Sequence, residues 1–313
     1  MDSNIARFPF PLSAEPFRYS NNSIPLQPPY SIEVTPEYLK EVTLKRQLLH
    51  DFHSRCYQSL PNTHEAQWEV VQLILHQLIE LYPDCFQLEK EKDRWIFFNY
   101  FTNEREEFVF GDQSTLPYEP LDFIGRHVQE DLIIMMQKDG DLLLEVGQLC
   151  FPSNWSLFFK LGMTFIEIHE PIPGFNDTGL ADQIQTFLCR IDAGQPWVRR
   201  NWGLTVGHYL DTATETFHEW GQRRKQVTLE NAGSLIHFRV EVQKLFRLPR
   251  SNAILFTIHT HILPLEKLAQ NREWLECFYN VIRDLPEEIA DYKGIKLYQD
   301  TLIHYLERAL KER

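Results

Sequence analysis

LIHFRVEVQKLFRLPRSNAILFTIHTHIL, residues 235–263, carries the reading that decides the fold class. Residues 235–246 and 252–263 each alternate polar and apolar side chains with the period of two that marks a β-strand. In the first run His237, Arg239, Glu241 and Gln243 fall on one face, and Phe238, Val240 and Val242 on the other. That alternation suits an antiparallel strand with one face on a core; the polar face then meets solvent or lines a pocket, and the pattern allows both. In the second run His259 and His261 stand two residues apart and share a face. The spacing suits two ligands of a non-haem metal, with Glu241 as a third, and equally suits histidines packed on a sheet.

Working outward, DLLLEVGQLCFP (141–152), TFIEIHEP (164–171) and WVRRNWGLTV (197–206) predict further strands, with a helix over 177–191. In TFIEIHEP, Ile166 and Ile168 take one face, Glu167 and His169 the other, and Pro171 ends the ladder, which makes His169 a strand-end histidine. RWIFFNYF (94–101) and REEFVFG (105–111) flank Thr102, Asn103 and Glu104 as a β-hairpin, and 119–138 reads as a helix stopping before Gly140. Residues 36–83 predict two helices. The second is opened by a capping box of Asn62 and Glu65 and carries Trp68, Val71, Leu75, Leu78 and Ile79 at helical spacing. REWLECFYNVIRDL (272–285) and YQDTLIHYLERALKER (298–313) read as closing helices. Residues 1–35, rich in Pro, Ser and Asn, suit an extended arm. Strands in the middle and helices at both ends predict an α+β fold with an antiparallel sheet, residues 36–313 forming one domain.

The 313 residues are 43% hydrophobic, enough for a substantial core. A net charge of -13 and a pI near 5.4, with no lysine or arginine cluster that offsets it globally, disfavour nucleic acid as a partner. No cationic stretch leads an apolar one near residue 1, and no apolar run approaches the roughly 18 residues of a membrane span, so a cytoplasmic protein is expected. Five scattered cysteines make neither a disulfide framework nor a CxxC signature. GxGxxG, Walker A, GxSxG and HExxH motifs are all absent, so no nucleotide loop, hydrolase elbow or zincin helix is legible.

Four segments together resemble the haem-dependent oxidative N-demethylases: VQEDLIIM (128–135), LCFPSNWSLFFKLGMTFIEIHEPIPG (149–174), RRNWGL (199–204) and FRVEVQKLFRLPRSNAILFTIHTHILPL (238–265). The family pattern falls on Pro152, Trp155, Lys160, Gly162, His169, Pro171 and Pro173. Further on it falls on Arg239, Glu241, Gln243, Arg247, Leu248, Pro249 and Ser251. Lys244, Phe246, His259 and His261 depart from it, a difference that bears on the substrate rather than on the scaffold. The resemblance implies a PAS-like antiparallel sheet, haem b as cofactor, and oxidation of an N-methyl group of a small amine by dioxygen with release of formaldehyde. It makes His169 the first candidate for the proximal haem-iron ligand, with His237, His259 and His261 as competitors. It offers Glu241 as partner of the amine's ammonium. Arg239 either orients Glu241 or meets a haem propionate, and Arg200 and Arg250 are further propionate candidates. With no flavin or iron–sulfur motif of its own, the chain would take electrons from an external reductase subunit. The other readings are a haem-binding PAS-like sensor or carrier without turnover, a non-haem metal protein using His259 and His261, and a relative without cofactor.

Overall fold

The computed structural model describes residues 3–13, 21–176 and 179–312. Among the described residues ten strands are present: β1 Ile24–Pro25, β2 Tyr57–Ser59, β3 Phe86–Glu91, β4 Arg94–Asn99, β5 Glu104–Val109, β6 Asp131–Lys138, β7 Asp141–Gln148, β8 Trp197–Val206, β9 Ile236–Arg247 and β10 Ile254–Pro264. Seven of them form one sheet in the order β1-β8-β9-β10-β6-β7-β2, with every pairing antiparallel, and β3-β4-β5 form a second sheet. The protein is therefore α+β, as the grouping of strands and helices along the chain predicts.

All twelve residues of β9 are buried, because β8 and β10 pair along its whole length and both faces of the sheet are covered. On one face Ile133, Met135, Leu144, Leu245, Ile254 and Ile258 meet the helices Phe165–His169 and Leu180–Cys189. On the other, Leu132, Ile134 and Leu255 pack on the helices Tyr38–Asp51 and His64–Leu81 and on the small sheet. Toward the start of β9, Phe238 and Val240 meet the closing helices Arg272–Arg283 and Gln299–Lys311. Near the chain start, Phe8 and Phe10 pack against Phe238 and Trp274, and β1 adds to β8.

Several expectations need correction. TFIEIHEP forms no strand: Phe165–His169 is a short helix, opened by a capping box in which the Thr164 side chain accepts from the Glu167 N–H and Glu167 reaches back to the Thr164 N–H. The Thr-x-x-Glu signature outranks an alternation only four residues long. Residues 119–138 are not one helix either. A helix ends at Gly125 and β6 begins at Asp131, where the ladders to β10 and β7 override helical periodicity. The helix His64–Leu81 follows Thr63 without a side-chain cap, while Asn62 takes a left-handed φ of 70° in the preceding turn. β4 and β5 form the expected hairpin, with Asn103 at φ 54° in its turn; β3 as a third strand was not anticipated. The helix read at 177–191 spans Leu180–Cys189, and 177 and 178 lie outside the described residues. Among the described residues, no helix is long and apolar enough to cross a membrane.

Candidate functional site

The polar face of β9 does not meet solvent: His237, Arg239, Glu241 and Gln243 are each less than a tenth exposed. Buried polar groups need partners, and here they largely supply one another. Arg239 Nε and Nη2 each lie 3.3 Å from Glu241 Oε1. Arg239 Nη1 donates to the Leu210 carbonyl at 2.8 Å, and Nη2 also donates to the Phe151 carbonyl and, at 3.2 Å, to Thr260. Burial pulls the Arg239 pKa down and the Glu241 carboxylate holds it up. The second Glu241 oxygen accepts from Gln243 Nε2 at 2.9 Å and from Asn201 Nδ2 at 3.3 Å. Register explains the meeting: Asn201 pairs with Glu241 across β8 and β9, and Thr260 pairs with Glu241 across β9 and β10.

Glu241 and Gln243 border a cavity of about 360 Å³ between this face of the sheet and the helices Phe165–His169 and Leu180–Cys189. One part of its wall is apolar, formed by residues such as Ile133, Leu144, Ile172, Phe175, Ile184 and Ile258. The other part carries charge: Lys160, Arg199, Arg200, Arg224, Glu241 and Lys293. A concave, mostly apolar pocket of this size with a few convergent polar groups is the usual form of a small-molecule or cofactor site.

His169 lines the same cavity. Its Nδ1 lies 2.7 Å from the Phe165 carbonyl oxygen, an acceptor, so Nδ1 carries the hydrogen. Burial is the main reason the His169 pKa falls to about 4; the Phe165 carbonyl opposes the shift, and Arg199 and Lys160 add to it. The imidazole is therefore neutral at pH 7, and among the described residues its Nε2 makes no hydrogen bond. Phe165 and Phe175 flank the ring at centroid distances of 4.3 and 5.3 Å.

Arg199 was missed by the sequence reading, which chose its neighbour Arg200. Burial lowers the Arg199 pKa against the attraction of Glu241, and its Nε is buried without a hydrogen-bond partner. Lys293, brought in from the C-terminal region, donates to the Trp202 carbonyl at 2.8 Å, and burial pulls its pKa down to about 8. Lys160 donates to the Ile168 carbonyl at 2.7 Å, at the end of the helix that carries His169. The alternation of β8 puts Arg199 on the side of Gln243, but only the register with β9 reveals this.

The candidates do not all converge. Arg200 reaches the cavity but is largely exposed. Arg239 stands behind Glu241 with its donors committed to the protein. His237 is off the cavity wall, with Nδ1 3.1 Å from the Leu235 carbonyl. Arg250 sits in the turn after β9, where its backbone N–H and guanidinium meet Glu69 at 2.7 and 3.5 Å. His259 and His261 occupy the opposite face of the sheet from Glu241, since they pair with Val242 and Val240 while Thr260 pairs with Glu241. The carboxylates beside them are Glu33, Glu41 and Glu130, not Glu241. Burial lowers His259, but Glu130 and Glu41 outweigh it and lift the pKa to about 9; burial, followed by the His259 charge, takes His261 down to about 2.

A haem needs an apolar slot, an axial donor and cations for its two carboxylates. The apolar wall, the uncommitted Nε2 of His169 and the orphaned Nε of Arg199 meet these needs. Fold and site thus define a class, an α+β protein whose antiparallel sheet backs a buried cofactor-sized cavity. The chain matches the family described as haem-dependent oxidative N-demethylase, alpha subunit-like, over residues 24–303, and it belongs to that family. The family's name carries haem dependence with it.

Proposed function

We propose that this chain is the haem b-carrying subunit of an oxidative N-demethylase acting on a small methylated amine. The observation that carries this reading is the state of His169. Its Nδ1–H is fixed on the Phe165 carbonyl, leaving the Nε2 lone pair at the wall of a cavity that Glu241 also borders. A histidine so tethered keeps one tautomer and one orientation, which would suit it to hold the iron of a bound haem. The PAS-like description of the sheet belongs to the same proposal.

Bound haem would supply the activation of dioxygen and the oxidation of the methyl group. Overall, an N–CH3 group, dioxygen, two electrons and two protons yield N–CH2OH and water. The N–C bond then breaks to release formaldehyde, leaving an N–H on the amine. Glu241 would accept a hydrogen bond from the substrate ammonium, and Arg239, Gln243 and Asn201 hold its carboxylate for that contact. Arg199, with Arg200 at the mouth, would meet the haem propionates. The apolar wall would keep water from the reacting methyl group. The electrons must come from outside the chain, so an external reductase subunit with flavin or an iron–sulfur centre is the expected partner, in keeping with the alpha-subunit likeness of the family.

The test is the absorption spectrum of protein expressed with haem precursor, before and after dithionite and carbon monoxide, followed by assay of methylated amines for formaldehyde. A stoichiometric Soret band that shifts on both additions is expected, with its loss in His169→Ala. An unchanged spectrum in that variant would sink the ligand assignment. A Soret band without formaldehyde from any methylated amine, in the presence of a competent reductant, would leave a haem sensor or carrier in place of the enzyme.

A further inference from the structure

The opposite face of the sheet holds a second group of donors. One ligand atom each from Glu33, His259 and His261 lie within 4.8 Å of one another. His259 is 2% exposed with its Nδ1 3.3 Å from Glu130 Oε1, and the buried Nε2 of His261 has no hydrogen-bond partner. The two rings lie 4.3 Å apart between centroids, tilted by 32°. Behind them Glu130 is fully buried; its Oε1 accepts from the Glu33 N–H at 2.7 Å, while its Oε2 has no partner. Two orphaned polar atoms in one buried place, His261 Nε2 and Glu130 Oε2, are unusual in a folded protein and call for an occupant.

We propose that Glu33, His259 and His261 bind a divalent transition-metal ion of the zinc class, with Glu130 as an outer carboxylate behind His259. Two imidazoles and a carboxylate are the donor set that zinc and its neighbours take from proteins, and three protein donors leave a position for water. Zinc bonds of about 2.0–2.1 Å put tetrahedral donors roughly 3.4 Å apart, so the three groups close by little more than an ångström on binding. Glu33 is exposed, so solvent rather than packing surrounds the side chain that must make that movement, although Lys244 also attracts its charge. Its backbone is already anchored: Ser31 N–H donates to Gln77 at 2.8 Å, Thr257 Oγ1 donates to the Ser31 carbonyl at 3.0 Å, and Thr35 N–H donates to Gln129 at 2.8 Å. The ion would pin the segment preceding the first long helix onto β10. The competing arrangement is an imidazolium at His259 held by Glu130 at 3.3 Å and Glu41 at 3.9 Å, with no metal.

The site is independent of the haem reading, because His169 and Glu241 lie on the other face. Metal analysis of the full chain purified from zinc-supplemented medium, and zinc titration of the chelator-stripped chain by calorimetry, test it, with haem content recorded in parallel. The expected result is one tightly bound zinc per chain, its loss in His261→Gln, and at least about tenfold weaker binding in Glu33→Gln, with haem content unchanged in both. Should His261→Gln fail to fold, the exposed Glu33→Gln still decides. No stoichiometric zinc in the wild-type chain, or wild-type affinity in Glu33→Gln, would overturn the proposal and leave the imidazolium pair. Loss of zinc in His169→Ala but not in His261→Gln would move the ion to the cavity and overturn it equally.

Discussion

Glu241 shows how much a single buried carboxylate depends on its neighbours. Arg239 lies within reach of one oxygen and Gln243 and Asn201 donate to the other, so the charge is compensated without closing the cavity side. Glu241→Gln keeps nearly the same volume and removes the charge. A hydrogen bond to a charged group contributes about 1.5–3 kcal/mol, so amine-dependent turnover is expected to fall by roughly 10- to 100-fold while the Soret band stays in place. Steady-state formaldehyde release beside the haem spectrum measures both, and full turnover in the variant would remove Glu241 from the site. Arg199 teaches a related lesson. It is one residue from the arginine that the sequence singled out; both reach the cavity, but Arg200 is exposed while Arg199 is half-buried and holds an orphaned, buried Nε there.

The element that matters most is the five-residue helix Phe165–His169. Isolated helices of this length do not persist in water, so its cap and its packing must hold it. Thr164 and Glu167 exchange hydrogen bonds at 2.8 and 3.3 Å, and the helix ends on the tethered His169. Thr164→Ala removes the side-chain half of that box at a cost of about 1 kcal/mol. If that cost falls on the orientation of His169, haem affinity should drop by about fivefold, measured as haem transfer to an acceptor protein. Unchanged affinity would mean that the Phe165 carbonyl and packing against Phe165 and Phe175 orient the ring without the cap. The same helix marks where sequence reading broke down. FIEIH alternates like a strand, and only the Thr-x-x-Glu pair ahead of it signalled otherwise. β8, by contrast, spans the segment read from its alternation, because ten residues of period two leave little room for another element.

Across the molecule, several buried histidines are neutral, and His127 is the one whose effect can be separated from either proposed site. Burial, with the Arg46 and Arg126 charges, lowers its pKa to about 3 against the pull of Glu104. Its ring packs edge-on to Phe97 and Phe123, and Nδ1 lies 3.3 Å from Arg46 Nη2 and 3.4 Å from Asn99 Nδ2. Below the unfolded value of about 6.5, the unfolded chain takes up a proton here that the folded chain refuses. Folding stability is therefore complete on this account above about pH 6.5 and falls as the pH drops toward 3, by at most about 1.4 kcal/mol per pH unit. Urea unfolding between pH 4 and 7 should show a shallower pH dependence in His127→Gln than in wild type. Parallel curves would show that His127 titrates alike in both states.

Taken alone, the sequence determined the α+β class, the long strands β8, β9 and β10, the closing helices and the membership of residues in alternating faces, because these follow from local periodicity. It also brought His169, Glu241 and the His259–His261 pair forward as candidates. What it left open was decided by tertiary structure: which faces are buried, and which candidates meet. His169 and Glu241 are 72 residues apart in the chain and share a cavity wall, whereas Glu241 and His259 are 18 apart and are separated by the sheet itself. Strand register and the packing of helices across each face set those meetings, and neither is encoded within the span of residues over which a periodic pattern can be read.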